Sequence, residues 1–156
     1  MTAPETIEGP ISARGRKIAI AAARFNDFIV ASLLKGAQAA WLTHGGEPAD
    51  LTVVRVPGAF ELPVTARKLA ASGRYDAVVA LGCVIRGDTP HFDYVAGECA
   101  RGLQLAALET GVPVAFGVLT VETPDQALER AATNAGNKGG EVMECALEMA
   151  AVMARL

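Results

Sequence analysis

Short runs of apolar, β-prone residues alternate along the chain with longer stretches in which apolar positions recur every three or four residues. That alternation is the mark of repeated strand–helix units and a parallel sheet. Four runs predict strands: Ile18–Ala23 (IAIAAA), Leu51–Val56 (LTVVRV), Tyr75–Ile85 (YDAVVALGCVI) and Pro113–Val121 (PVAFGVLTV). They are apolar nearly throughout, as strands covered on both faces should be. The expected fold class is α/β, a three-layer sandwich in which a four-stranded parallel sheet carries helices on both faces.

The helical stretches have readable limits. After the first strand, Ile29, Leu33, Leu34, Ala37, Trp41 and Leu42 recur at helical spacing until Gly45-Gly46 stops the helix. A second helix starts near Pro63. A third carries Phe92, Val95, Cys99, Leu103 and Ala106 on one stripe and ends at Gly111, and Thr123-Pro124 caps a fourth with proline in its first turn. In the last helix, Glu141–Leu156, residues Val142, Cys145, Met149, Val152 and Leu156 form an apolar seam that either packs on the sheet or meets another subunit. Residues 1–16 are polar and rich in Pro and Gly, which predicts an arm ordered against a neighbouring subunit. Residues 17–156 then form one α/β domain.

Composition narrows the function classes. A chain of 156 residues, 51% hydrophobic and 20% charged, suits one core rather than two independent domains. A formal net charge of −3 lacks the concentrated basic surface that nucleic-acid binding needs. The longest apolar run, Ala77–Ile85, has nine residues, about half of the roughly 18 that a membrane-spanning helix requires. The opening MTAPETIEGP lacks the basic start and apolar segment of a secretory signal, so a cytoplasmic location is expected. Cys83, Cys99 and Cys145 are widely spaced, with no Cys-x-x-Cys and no nearby histidine pairing that resembles a metal site. All three read as reduced thiols, with a nucleophilic Cys83 as the alternative.

In a parallel sheet, ligands bind beyond the carboxyl ends of the strands. The four segments in that position read RFNDF, PGAFELP, RGDTPHFD and VETPD. Phe25, directly after a buried strand, either stacks on a flat ligand or folds back on the helix start as a staple. In PGAFELP, Phe60 and Glu61 head a helix whose free N–H groups can bind a polar ligand, although Glu61 is also explained by the helix dipole alone. Thr89 and the Gly87-Asp88 turn before the third helix can hold a phosphate, with the Asp88 carboxylate pointing away or capping. His91 sits in the first turn of that helix, where the positive helix end favours a neutral imidazole able to take and return a proton; a surface or capping role is the alternative. Arg130, on the fourth helix, is either a phosphate ligand or a solvated charge. His44, before Gly45-Gly46, has no such neighbours and reads as structural.

Together, RFN, PGAFELP, GCVIRGDTPHFDYV, FGVLT and ERAATNAGNKGGE resemble, in order and spacing, the lumazine synthases of riboflavin biosynthesis, over nearly the whole chain from Lys17. The resemblance implies a flavodoxin-like sheet. It also implies condensation of 5-amino-6-(ribitylamino)uracil with 3,4-dihydroxy-2-butanone 4-phosphate to 6,7-dimethyl-8-ribityllumazine, with release of phosphate and without a metal or redox cofactor. By matching position, Phe25 would stack on the pyrimidine, and Ala59, Phe60 and Glu61 would hold the ribityl chain and ring edge. Val84 and Ile85 would contact the ring through their backbone. Thr89 and the Gly87-Asp88 turn, with Arg130, would bind phosphate, and His91 would carry protons. Phe116 and Lys138 would reach in from a neighbouring subunit of a homo-pentamer. The short NAGNKGG link resembles the members that assemble twelve pentamers into a shell.

Two other readings compete. A non-catalytic flavin-binding or shell-forming paralogue would be favoured by loss of His91 or Arg130, and both are present. An electron carrier of the flavodoxin kind would want a Ser/Thr-rich phosphate loop where this chain has RFNDF.

Overall fold

The computed structural model describes residues 2–132 and 136–156. Four strands, β1 (Ile18–Ala23), β2 (Leu51–Val56), β3 (Ala77–Ile85) and β4 (Val114–Val121), form one parallel sheet in the order β2-β1-β3-β4. The helices are α1 (Asp27–Thr43), α2 (Leu62–Ala71), α3 (His91–Thr110), α4 (Pro124–Arg130) and α5 (Lys138–Met153). Side chains alternate between two cores along the central strands. Ile18, Ile20 and Ala22 join Val79, Leu81 and Cys83 under α1, α4 and α5, whereas Ala21, Ala23, Val78 and Ala80 pack under α2 and α3. The fold is thus the expected three-layer, flavodoxin-like sandwich. No helix among the described residues is long and apolar enough to cross a membrane.

The apolar character of the strands is realised fully only in the middle of the sheet. Every residue of β1 is buried, and β3 is buried except for Ile85. On the edges, β2 is mostly half-buried with Arg55 exposed, and β4 exposes Phe116 and Thr120. Two strands also begin later than the apolar runs suggest. Asp76, before β3, accepts a hydrogen bond from Lys17 N through its carboxylate (2.8 Å) and donates its own N–H to Lys17 O (2.8 Å), so it closes a corner rather than opening a strand. Pro113 has no N–H for a ladder, and only its carbonyl takes part, accepting from Val78 N at 2.9 Å.

The last helix differs most from expectation. It starts at Lys138, because the Asn137 side chain accepts from Gly139 N (2.8 Å) and Gly140 N (3.2 Å) and caps it three residues before Glu141. Its buried face is Gly139, Val142, Met143, Ala146, Leu147, Ala150 and Ala151. Of the predicted seam only Val142 belongs to that face; Cys145, Met149 and Leu156 are exposed and Val152 is half-buried. In the fourth helix, by contrast, Thr123 caps as expected, its hydroxyl accepting from Gln126 N at 3.2 Å, with Pro124 in the first turn.

The N-terminal segment has no regular structure, yet its second half rests on its own chain. Ala13 is buried and donates its N–H to His44 O (3.0 Å), and Arg155 donates to Glu8 O (2.9 Å). Residues 2–6 are exposed. Residues 133–135, which include the first two of the NAGNKGG link, lie outside the described residues.

Candidate active site

The strand order reverses between β1 and β3, and in a doubly wound sheet the crevice at that reversal, outside the strands' carboxyl ends, is where ligands bind. The chain leaving β1 is held tightly there. Arg24 N donates to Val56 O (2.7 Å) and Phe25 N to Pro57 O (2.9 Å), extending the β1–β2 ladder past the strand ends. Asn26 then turns the chain into α1 with φ 61° and ψ 44°, the one non-glycine residue with positive φ among those described. Asparagine tolerates that left-handed conformation better than other side chains. Its amide donates to Cys83 O (2.9 Å), tying the turn to β3. Phe25 is left 72% exposed, so it is no staple on α1.

After β2, Gly58 is extended and Ala59–Glu61 makes one 3-10 turn into α2. Ala59 is buried beneath it and Phe60 is 59% exposed. After β3, residues 86–90 form an exposed turn, and His91 opens α3 with its backbone N–H 3.4 Å from the Thr89 hydroxyl.

These segments converge. Phe25, Ala59, Val84, Ile85, Thr89 and His91 surround a cavity of about 240 Å³. An adjoining cavity of about 560 Å³ shares Phe25, Ala59 and His91 and adds Phe60 and Glu61. Asp88, in the same turn as Gly87 and Thr89, is exposed and lines neither.

Phe116, Arg130 and Lys138 lie elsewhere. They line a third cavity, of about 190 Å³, along the edge strand β4, where Arg130 ends α4 and Lys138 begins α5. The structure therefore groups Arg130 with Phe116 and Lys138, not with Thr89 and the turn before His91. The guanidinium of Arg130 donates to Gln126 O (3.0 Å) in its own helix, and Lys138 pairs with Glu141 (3.2 Å).

The sequence profile of the 6,7-dimethyl-8-ribityllumazine synthase family matches residues 15–154. A protein of Nitratidesulfovibrio vulgaris (strain DSM 19637 / Miyazaki F) named 6,7-dimethyl-8-ribityllumazine synthase is 56% identical over 152 residues, 97% of each chain. The chain belongs to the lumazine synthase family.

Within this lumazine synthase fold, several lining residues lack a strong signal in the sequence. Asn26, Cys83, Phe92 and Val95 line the smaller cavity and Tyr94 the larger. Asn26 stands in the RFN motif and Cys83 was the alternative nucleophile, whereas Phe92 and Val95 read only as part of a helical stripe. Burial works against the nucleophilic alternative for Cys83. Burial pushes its thiol up to about 11, so it stays protonated at neutral pH. Cys99, on the buried face of α3, is likewise pushed up to about 11. His44 has a structural place, its Nε2 lying 2.8 Å from Glu144 Oε2 and joining the end of α1 to α5.

Proposed function

We propose that the chain condenses 5-amino-6-(ribitylamino)uracil with 3,4-dihydroxy-2-butanone 4-phosphate to give 6,7-dimethyl-8-ribityllumazine, phosphate and water. The observation that carries this reading is the gathering of Phe25, Thr89 and His91 round one cavity in a lumazine synthase fold. Phe25 offers its exposed ring to the pyrimidine, and the end of β3, at buried Val84 and half-buried Ile85, offers backbone groups to the ring edge. The Ala59–Glu61 turn lies along the larger cavity, where a ribityl chain can hydrogen-bond. Thr89, with the Gly87-Asp88 backbone, faces the phosphate end.

The amine of the pyrimidine attacks the ketone, and loss of water leaves an imine. Proton removal next to it expels phosphate, and the resulting enol becomes a ketone. The ribityl-bearing nitrogen closes the ring on that ketone with loss of a second water. Each step moves a proton, and His91, exposed at the head of α3 and lining both cavities, is the group placed to carry it. Most of the barrier reduction comes from holding the two substrates in register.

The cations Arg130 and Lys138 and the ring of Phe116 are grouped on a different edge of the same protomer. We read them as the half-site that a second copy supplies, which makes a cyclic homo-oligomer part of the catalytic design, a pentamer in this reading. Such an interface is heterologous, one edge of each copy meeting the strand ends of the next, and it closes as a ring. The outer face of α5, with exposed Met149 and Met153, and the exposed first residues of the arm are further surfaces for neighbours. A shell of pentamers and a cytoplasmic location belong to the same proposal. Sedimentation should give a pentamer or a multiple of it, and a monomer that keeps full activity would end the shared-site reading.

The reaction itself is tested by mixing purified protein with both substrates and following the absorbance of the lumazine. Colour that appears only with both present is the expected result. No colour, together with tight riboflavin binding, would make the protein a flavin-binding member instead.

A further inference from the structure

Arg86 is the last residue before the Gly87–Thr89 turn, and no role in the reaction above falls to it. Its guanidinium nevertheless joins three elements. Nε donates to Glu122 Oε2 at 2.8 Å, in the segment between β4 and α4. Nη1 lies 3.4 Å from Asp93 Oδ1, in the first turn of α3. The guanidinium carbon stands 4.3 Å from the centre of the Phe92 ring, close enough for a cation–π contact. Below it, the Arg86 N–H donates to Val121 O (2.9 Å), the rung beyond the end of the β3–β4 ladder.

The position of this network matters more than its strength. Each ion pair is partly exposed, and such pairs taken singly stabilise little. Here one planar group holds both flanks of an otherwise exposed five-residue turn, 86–90, that carries Thr89 and leads into His91. Phe92, the ring beneath the guanidinium, is itself a wall of the smaller cavity. A lysine cannot reproduce this, because a point charge lacks the flat fork that bonds one carboxylate while stacking on a ring.

We propose that Arg86, anchored by Glu122, is a positioning residue that fixes the Gly87–Thr89 turn and the Phe92 wall for the phosphate-bearing substrate. The inference rests on the phosphate reading of that turn. The test is steady-state kinetics of Arg86→Gln, Arg86→Lys and Glu122→Gln, with KM measured separately for each substrate. All three should raise KM for the butanone phosphate about tenfold and leave KM for the pyrimidine within about twofold, with Arg86→Lys no better than Arg86→Gln.

Glu122→Gln decides between positioning and direct contact. If Arg86 itself touched phosphate, releasing it from Glu122 would leave KM unchanged or lower it, and that result overturns the proposal. Equal loss for both substrates, accompanied by a lower melting temperature, would also overturn it in favour of general stability. Thr89→Ala is the control for the underlying reading: if it leaves the butanone phosphate KM unaltered, phosphate does not bind at this turn, and that failure is separate from failure of the Arg86 bracing.

Discussion

Replacing His91 with alanine should lower kcat about 10²- to 10⁴-fold, the usual share of one general acid–base group, and leave a measurable rate. The imidazole is exposed, lines both cavities of the strand-end crevice, and makes no side-chain hydrogen bond among the described residues. Its proton is therefore available to a substrate rather than committed to the fold. A residual rate is expected because aligning two reactants supplies roughly 7–11 kcal/mol of barrier reduction, and that work falls to Phe25, the Ala59–Glu61 turn and the phosphate turn. The melting temperature should stay close to that of the parent protein, since the ring packs against little. Saturating-substrate turnover of His91→Ala checks the point. An unchanged kcat would mean that the substrates or water exchange the protons unaided, and His91 would lose its role.

The residues that carry this prediction were legible in the sequence because strand ends are legible. Apolar runs marked the strands, and the segments after them had to hold the site in any parallel sheet. What the pattern could not show was which of those segments meet in one protomer. Arg130 ends α4 and Lys138 begins α5, both beside the edge strand β4, and no periodicity separates a cation facing the crevice of its own chain from one facing outward. The Arg86 network was hidden for a related reason: Glu122, its partner, is 36 residues away, and only the β3–β4 ladder brings the two together.

The core-facing side of the last helix escaped the sequence pattern because small residues carry its contacts. A seam of Val142, Cys145, Met149, Val152 and Leu156 attracts notice through its large side chains, but the face that meets the core is built partly from Gly139, Ala146, Ala150 and Ala151. Alanine is common on any helix surface, so a stripe of it carries little signal. It becomes meaningful only where two helices approach too closely for anything larger, which is a property of the partner helix α1 and not of the stripe.

That close approach leads to the second large effect, on stability. Gly139→Ala should destabilise the fold by about 3 kcal/mol, a methyl group forced into a packed contact costing about 1–3 kcal/mol and a disturbed helix cap about 1 more. Gly139 is buried, and a Cβ on it would overlap the backbone carbonyl of Leu33 in α1. Backbone cannot rotate aside, so α1 and α5 would have to separate. The cap would suffer with them, because Asn137 also donates to Ser32 O (3.0 Å) and Ala131 O (3.2 Å), joining α1, α4 and α5 at one point. For a chain of this size the melting temperature should fall by about 6–12 °C, at roughly 2–4 °C per kcal/mol. Gly140→Ala is the informative contrast. Its added Cβ would meet Gly36 O at 3.4 Å, an ordinary contact, and alanine gains up to about 1 kcal/mol of helix propensity over glycine. Thermal melts of the two variants should therefore diverge, Gly139→Ala falling and Gly140→Ala holding or rising. Equal melting temperatures would show that α1 and α5 have slack at their crossing. If they diverge, glycine at 139 is required by the neighbouring backbone, and Lys138 beside it is held in place by the same crossing.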